Sequence, residues 1–226
     1  VPRSVASQAV ARALTLAPGI APLGALFGAA AVAAGFSPGA AVALSAVVFA
    51  GGAQFAAVGL VAAGAALASV VGTVLLINAR YFLLSAATVD MGRKARAGPL
   101  HRVALALGTV DESYALQAAW SREAGVTPWG LILVSLTLWL LWVGSTALGA
   151  LLGTHLPDLR PWGLDYALPG IFVGLFGIFA DTRERLVAGL VALALGGAAA
   201  LLGFGTWAVL VVPPALAFAW GWKRAG

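Results

Sequence analysis

The 226-residue chain is 62% hydrophobic and only 9% charged, with a mean hydropathy of +0.99. A soluble domain carries roughly 25% charged residues, so this chain has too few to cover a surface in water and belongs in a lipid bilayer. Its net charge of +5 sits in short segments between apolar runs, which points to membrane orientation and not to nucleic acid. The absence of cysteine excludes disulfides, thiol catalysis and thiolate metal sites.

Uncut apolar runs of about 18 to 24 residues recur, the length that crosses ~30 Å of hydrocarbon as a helix. The short alternating segments of a β-barrel do not occur. The expected fold is therefore an all-α polytopic membrane protein with about seven spanning helices, at least one of them broken. His101 and His155 lie far apart and make no metal-ligand spacing, so no metal or other cofactor is expected.

Residues 4 to 16 are mildly amphipathic, and residues 1 to 16 lack the compact basic and apolar regions of a cleavable signal peptide. Segment one (17–34) contains Pro18 and Pro22, which are expected to break it early, and a Gly24-xxx-Gly28 face suited to close helix packing. GFSPG (35–39) is a turn by its glycines and Pro38.

Segment two (40–60) is interrupted by Gly51-Gly52 and Gln54, and segment three (64–89) by Asn78, Arg80 and Tyr81. Glycine weakens a helix by roughly 1 kcal/mol relative to alanine, so the glycine pair is the expected site of unwinding. The next stretch, DMGRKARAGPLHR, carries Arg93, Lys94, Arg96 and Arg102 and reads as a cytoplasmic loop.

Segment four (103–120) is short and bears Asp111 and Glu112, with Gln117 further on. Segment five (129–152) is a clean span, with Trp129, Trp139 and Trp142 as expected interface anchors. Segments six (164–180, beginning with Asp165), seven (186–203) and eight (205–222) follow, and Lys223-Arg224 close the chain. PGIFVGLFG (169–177) faintly echoes PGIAPLGALFG (18–28), as halves of transporters often do.

With the 93–102 loop, the DTRER loop (181–185) and the C-terminus all cytoplasmic, segment four cannot cross fully and is expected to be re-entrant or surface-lying near 103–120. The N-terminus falls outside if segments one to three all span, and inside if a broken segment two does not. The whole forms one integral membrane domain over 1–226. It comprises a first helical group at 17–89, a basic loop with an acidic short helix at 90–128, and a second helical group at 129–222.

PGIAPLGALFG, LSAVVFAGGAQFAAV, INARYFLLSA and DESYAL, in that order and spacing, resemble the AzlC-type large subunit of bacterial branched-chain amino acid exporters. The resemblance runs from Pro18 to Asp181; FAGGAQF and NARY are its specific parts, and the last two segments match only in hydropathy. It implies proton-driven export of valine, leucine, isoleucine and similar amino acids across the bacterial inner membrane. It also implies a small AzlD-type membrane subunit as partner.

The residues themselves fit such a substrate. A zwitterion needs donors for its carboxylate, acceptors for its ammonium and an apolar pocket for its side chain. Exposed backbone at a helix break supplies the first two, so Ser45, Gly51, Gly52, Gln54, Asn78 and Arg80 are the expected substrate contacts. Arg80 is either a carboxylate clamp, for which its planar fork is suited, or one half of a structural ion pair with Asp111, Glu112 or Asp165. Those three carboxylates are the candidate proton carriers. An enzyme is not expected, because no serine has a membrane-depth histidine partner and no HExxH occurs. The alternative reading is a channel-like or structural membrane subunit without proton coupling.

Overall fold

The computed structural model describes residues 4–123 and 126–155, with scattered positions between 183 and 202. Segments six and eight, half of segment seven and Asp165 lie outside the described residues, and so does the 169–177 half of the internal echo. Among the described residues the chain is helical: α1 (Val5–Leu14), α2 (Ala17–Ala33), α3 (Pro38–Val48), α4 (Gly51–Ala62), α5 (Leu67–Asn78), α6 (Arg80–Lys94), α7 (Pro99–Leu107), α8 (Asp111–Trp120) and α9 (Pro128–His155).

Among the described residues two stretches are long and apolar enough to cross a membrane: Leu67–Lys94, which joins α5 and α6, and Pro128–Thr154 within α9. α1 and α2 make a third if their 63° bend lies within one span. The architecture is therefore that of an all-α, multi-pass membrane protein.

The 28 residues of α9 form the axis of the described region. At 1.5 Å per residue they reach roughly 42 Å. α2 makes the most extensive contact with α9, and the two approach backbone to backbone. A Cβ at Gly28 would run into the Thr146 carbonyl and the Ala150 amide, and one at Gly149 into the Ala25 backbone. The small residues in α2 thus serve helix packing, as the Gly24-xxx-Gly28 spacing predicts. Pro18 and Pro22 do not break α2: Pro18 lies in its first turn, where no amide is missed, and the helix runs on through Pro22.

α1 is the amphipathic N-terminal stretch. Ser4 caps it by accepting from the Ser7 amide, and it buries Ala9 and Ala13 against α9. Arg12 reaches Glu123 with both terminal nitrogens and lies 4.9 Å from the Trp120 ring centroid, which ties α1 to the end of α8.

Two of the predicted segments are helix pairs. Segment two is α3 and α4, separated at Phe49-Ala50, so the interruption falls before the glycines and not at them. Phe49 is left-handed (φ 42°, ψ 47°), Ala50 is extended (φ −149°), and Gly51-Gly52 are the first turn of α4. Left-handed backbone costs a side-chain-bearing residue about 1–2 kcal/mol, and the contacts that hold it are those of the site below.

Segment four is likewise split, into α7 and α8 at Gly108–Val110. The Thr109 hydroxyl donates to the Leu105 carbonyl at 2.7 Å, and the Val110 amide donates to Ser113 Oγ at 2.9 Å. These bonds end one helix and start the next, and they leave Asp111 and Glu112 in the first turn of α8. There their charge complements the helix dipole. The basic stretch is also mostly helical: α6 continues to Lys94 and α7 begins at Pro99, with Arg96 left-handed (φ 62°) in the tight turn between.

Candidate functional site

The break in segment two is stitched by one side chain. Gln54 is fully buried; its Oε1 accepts from the Ala50 amide at 3.2 Å and from Trp142 Nε1 at 2.9 Å. Its Nε2 donates to Ser45 Oγ at 2.9 Å, and Ser45 shares a 2.8 Å hydrogen bond with Thr146 of α9. The network joins the end of α3, the start of α4 and the middle of α9 across a gap that lacks helical hydrogen bonds. A buried, satisfied network of this kind is rigid.

Ser45 and Gln54 hold the broken backbone in shape and are not among the residues that line the adjacent cavity. Both were expected as substrate contacts; their hydrogen bonds run to one another, to the Ala50 amide and to α9. Their polar groups are consumed by a break that a one-dimensional reading places two residues too late.

Trp139 and Trp142, expected as interface anchors, take part in the contacts around the same break. Trp139 Nε1 donates to the Ala46 carbonyl at 3.0 Å, near the end of α3, where helical partners run out. Trp142 is buried, stacks on Phe27 with centroids 6.3 Å apart, and presents its indole to Gln54. Their i, i+3 spacing puts both on one face of α9. Trp129, at the start of α9, is 61% exposed and remains compatible with an interface position.

On the other side of the break lies a cavity of about 120 Å³. That approaches the ~150 Å³ of an apolar cavity known to admit a benzene-sized guest. Ile20, Leu23, Phe55 and Leu138 form its apolar wall, and Gly51-Gly52, Arg80, Asp111 and Glu112 its polar one. A Cβ at Gly52 would meet nothing within 4 Å, whereas one at Gly51 would lie 3.0 Å from the Trp142 ring. The first turn of α4 has no side-chain cap and no acidic residue, so its dipole end faces the cavity without a counter-charge from its own helix.

Arg80 and Asp111 pair across the cavity, Nη2 to Oδ2 at 2.8 Å. The Tyr81 hydroxyl lies alongside, 3.4 Å from the same carboxylate oxygen and 3.5 Å from Arg80 Nη2. Both residues line the cavity, and their side chains are 43% and 38% exposed. Glu112 lines the same cavity, and among the described residues no ion pair reaches it.

Of the predicted contacts, Gly51, Gly52, Arg80, Asp111 and Glu112 are brought together here. Asn78 is not among the lining residues; its Oδ1 is buried at the end of α5 without a hydrogen-bond partner. No group of three or more metal-ligating side chains occurs among the described residues.

The model of one protein family, described as AzlC protein, matches residues 15–156. The chain belongs to the AzlC family. The match covers well over half of the sequence and takes in α2 to α9, including the broken α3–α4 pair, the Arg80 segment and the Asp111-Glu112 pair. It ends before segment six, so it does not extend to Asp181, where the motif resemblance runs. No curated protein and no solved structure matches. Membership makes this AzlC-family chain a multi-pass membrane component of a branched-chain amino acid exporter, and not an enzyme. AzlC proteins generally work with a small AzlD-type subunit.

Proposed function

We propose that this AzlC-family protein exports valine, leucine, isoleucine and similar amino acids from the bacterial cell, that it binds them in the cavity beside the α3–α4 break, and that protons drive the export. The observation that carries the reading is the composition of that one cavity. A helix N-terminus without a counter-charge and a guanidinium suit a carboxylate, two carboxylates suit an ammonium, and the remaining wall is aliphatic and aromatic.

In this arrangement the first-turn amides of α4 and Arg80 receive the substrate carboxylate, and Asp111 receives the ammonium. Ile20, Leu23, Phe55 and Leu138 enclose the branched side chain. Substrate entry exchanges the Arg80–Asp111 pair for two substrate contacts, so neither charge loses a partner. Glu112 makes no ion pair among the described residues and is the proton carrier. Its longer arm reaches further from α8 than that of Asp111.

The same reading gives seven crossings with the 93–102 segment and the C-terminus cytoplasmic, and an AzlD-type subunit completing the exporter. The test is efflux of radiolabelled valine, leucine and isoleucine from loaded inside-out and right-side-out vesicles, with and without the small subunit and an imposed pH difference. Export that follows the pH difference supports the reading. Flux that follows only the amino acid gradient contradicts proton coupling and favours a channel.

A further inference from the structure

A second cavity, of about 540 Å³, lies on the far side of Phe49. It is bounded by the α3 end, by α7 and by α9, and no ionised side chain is among its described lining residues. Its hydroxyls have partners elsewhere: Ser85 donates to the Ala106 carbonyl at 3.0 Å and Thr109 to that of Leu105 at 2.7 Å, Ser135 accepts from Gln117 Nε2 at 2.9 Å, and Tyr81 faces Asp111. Such a cavity has room for an amino acid with its water but nothing to hold its charges. It suits passage, whereas the smaller charged cavity suits binding.

The two cavities share three wall residues: Phe49, Tyr81 and Val110. Tyr81 is engaged with the Arg80–Asp111 pair, and Val110 is buried and fixed by its amide bond to Ser113. Phe49 differs from both. Its backbone occupies the left-handed region at φ 42°, ψ 47°, and its ring packs against both apolar clusters of the described core. Strained backbone persists only where the surroundings enforce it, and it marks points where two arrangements compete. A return of Phe49 to right-handed backbone would change the angle between α3 and α4 and displace its ring.

We infer that the two cavities are successive stations of one amino acid path and that Phe49 is the gate between them. The inference rests on the reading of the charged cavity as the substrate site.

The chain has no cysteine, so single thiols report without background. Gly52→Cys places one in the charged cavity, where a Cβ finds open space, and Ala104→Cys places one in the wall of the larger cavity. Each is introduced into the full chain in membrane vesicles of both orientations and reacted with a small impermeant methanethiosulfonate.

From the face at which Ala104→Cys reacts, Gly52→Cys is expected to be shielded while Phe49 is present. Phe49→Gly is expected to raise the Gly52→Cys rate from that face at least tenfold and leave the Ala104→Cys rate unchanged. Phe49→Asn serves as a second variant, since asparagine also tolerates left-handed backbone. An unshielded Gly52→Cys, a rate indifferent to both Phe49 variants, or an Ala104→Cys that reacts from neither face overturns the gate. Leucine binding to the chain with Gly52 unsubstituted is measured in the same kind of vesicles. Its absence alongside a Phe49-dependent rate contradicts the substrate reading and leaves the gate standing.

Discussion

Arg80 on α6 and Asp111 on α8 meet at 2.8 Å in the wall of a cavity whose other polar edge is the uncapped first turn of α4. The pair joins α6 to α8, and both partners line the cavity. A pair this open contributes about 0–1 kcal/mol to stability. Its persistence beside an apolar pocket is better explained by what it does to a ligand.

Arg80→Ala and Asp111→Ala are therefore expected to fold with little loss of thermal stability in detergent and to lose transport. The double variant is expected to fold equally well and to remain inactive. If the double variant transports while either single variant does not, the pair is structural.

Gln54→Ala is expected to act on stability and not on substrate affinity. It strips partners from the Ala50 amide, Trp142 Nε1 and Ser45, all buried. Each unsatisfied buried group costs about 1–3 kcal/mol, so a marked drop in melting temperature is expected. A protein of normal melting temperature with a raised KM would place Gln54 at the substrate after all.

Gly149→Ala sets a Cβ against the Ala25 backbone and forces α2 away from α9. Overpacking of this kind costs about 1–3 kcal/mol, and here the clash is with main chain, which has little room to yield. Reduced yield of folded protein by size-exclusion chromatography is the expected result, with no comparable loss for Gly19→Ala, whose Cβ meets nothing.

Much of this was legible in the sequence. Nine-per-cent charge and apolar runs give the membrane class, FAGGAQF, NARY and DESY give the family, and Arg80 was named with its eventual partner among three carboxylates. The position of the helix break was not legible. Glycine propensity points to Gly51-Gly52, but glycine is also tolerated in a first helical turn, and left-handed Phe49 is held by tertiary contacts that no local pattern shows. The partners of Gln54, Trp139 and Trp142 were not legible either, for the same reason. A polar group at membrane depth reads as ligand-binding until the backbone groups it satisfies are in view.

The orientation is tested by Lys94→Cys and Lys223→Cys. Both thiols are expected to resist an impermeant reagent in intact cells and to react once the membrane is permeabilised. Efficient labelling from outside would invert the proposed topology.

The central claim, that a branched-chain amino acid binds against the first turn of α4, is tested most directly by equilibrium binding of radiolabelled leucine to the purified protein and to Gly52→Leu. Open space beyond Gly52 lets the added side chain enter the cavity without disturbing the fold. The account predicts an unchanged melting temperature and at least a hundredfold loss of leucine affinity. Equal affinity in a Gly52→Leu protein of unchanged melting temperature would contradict it.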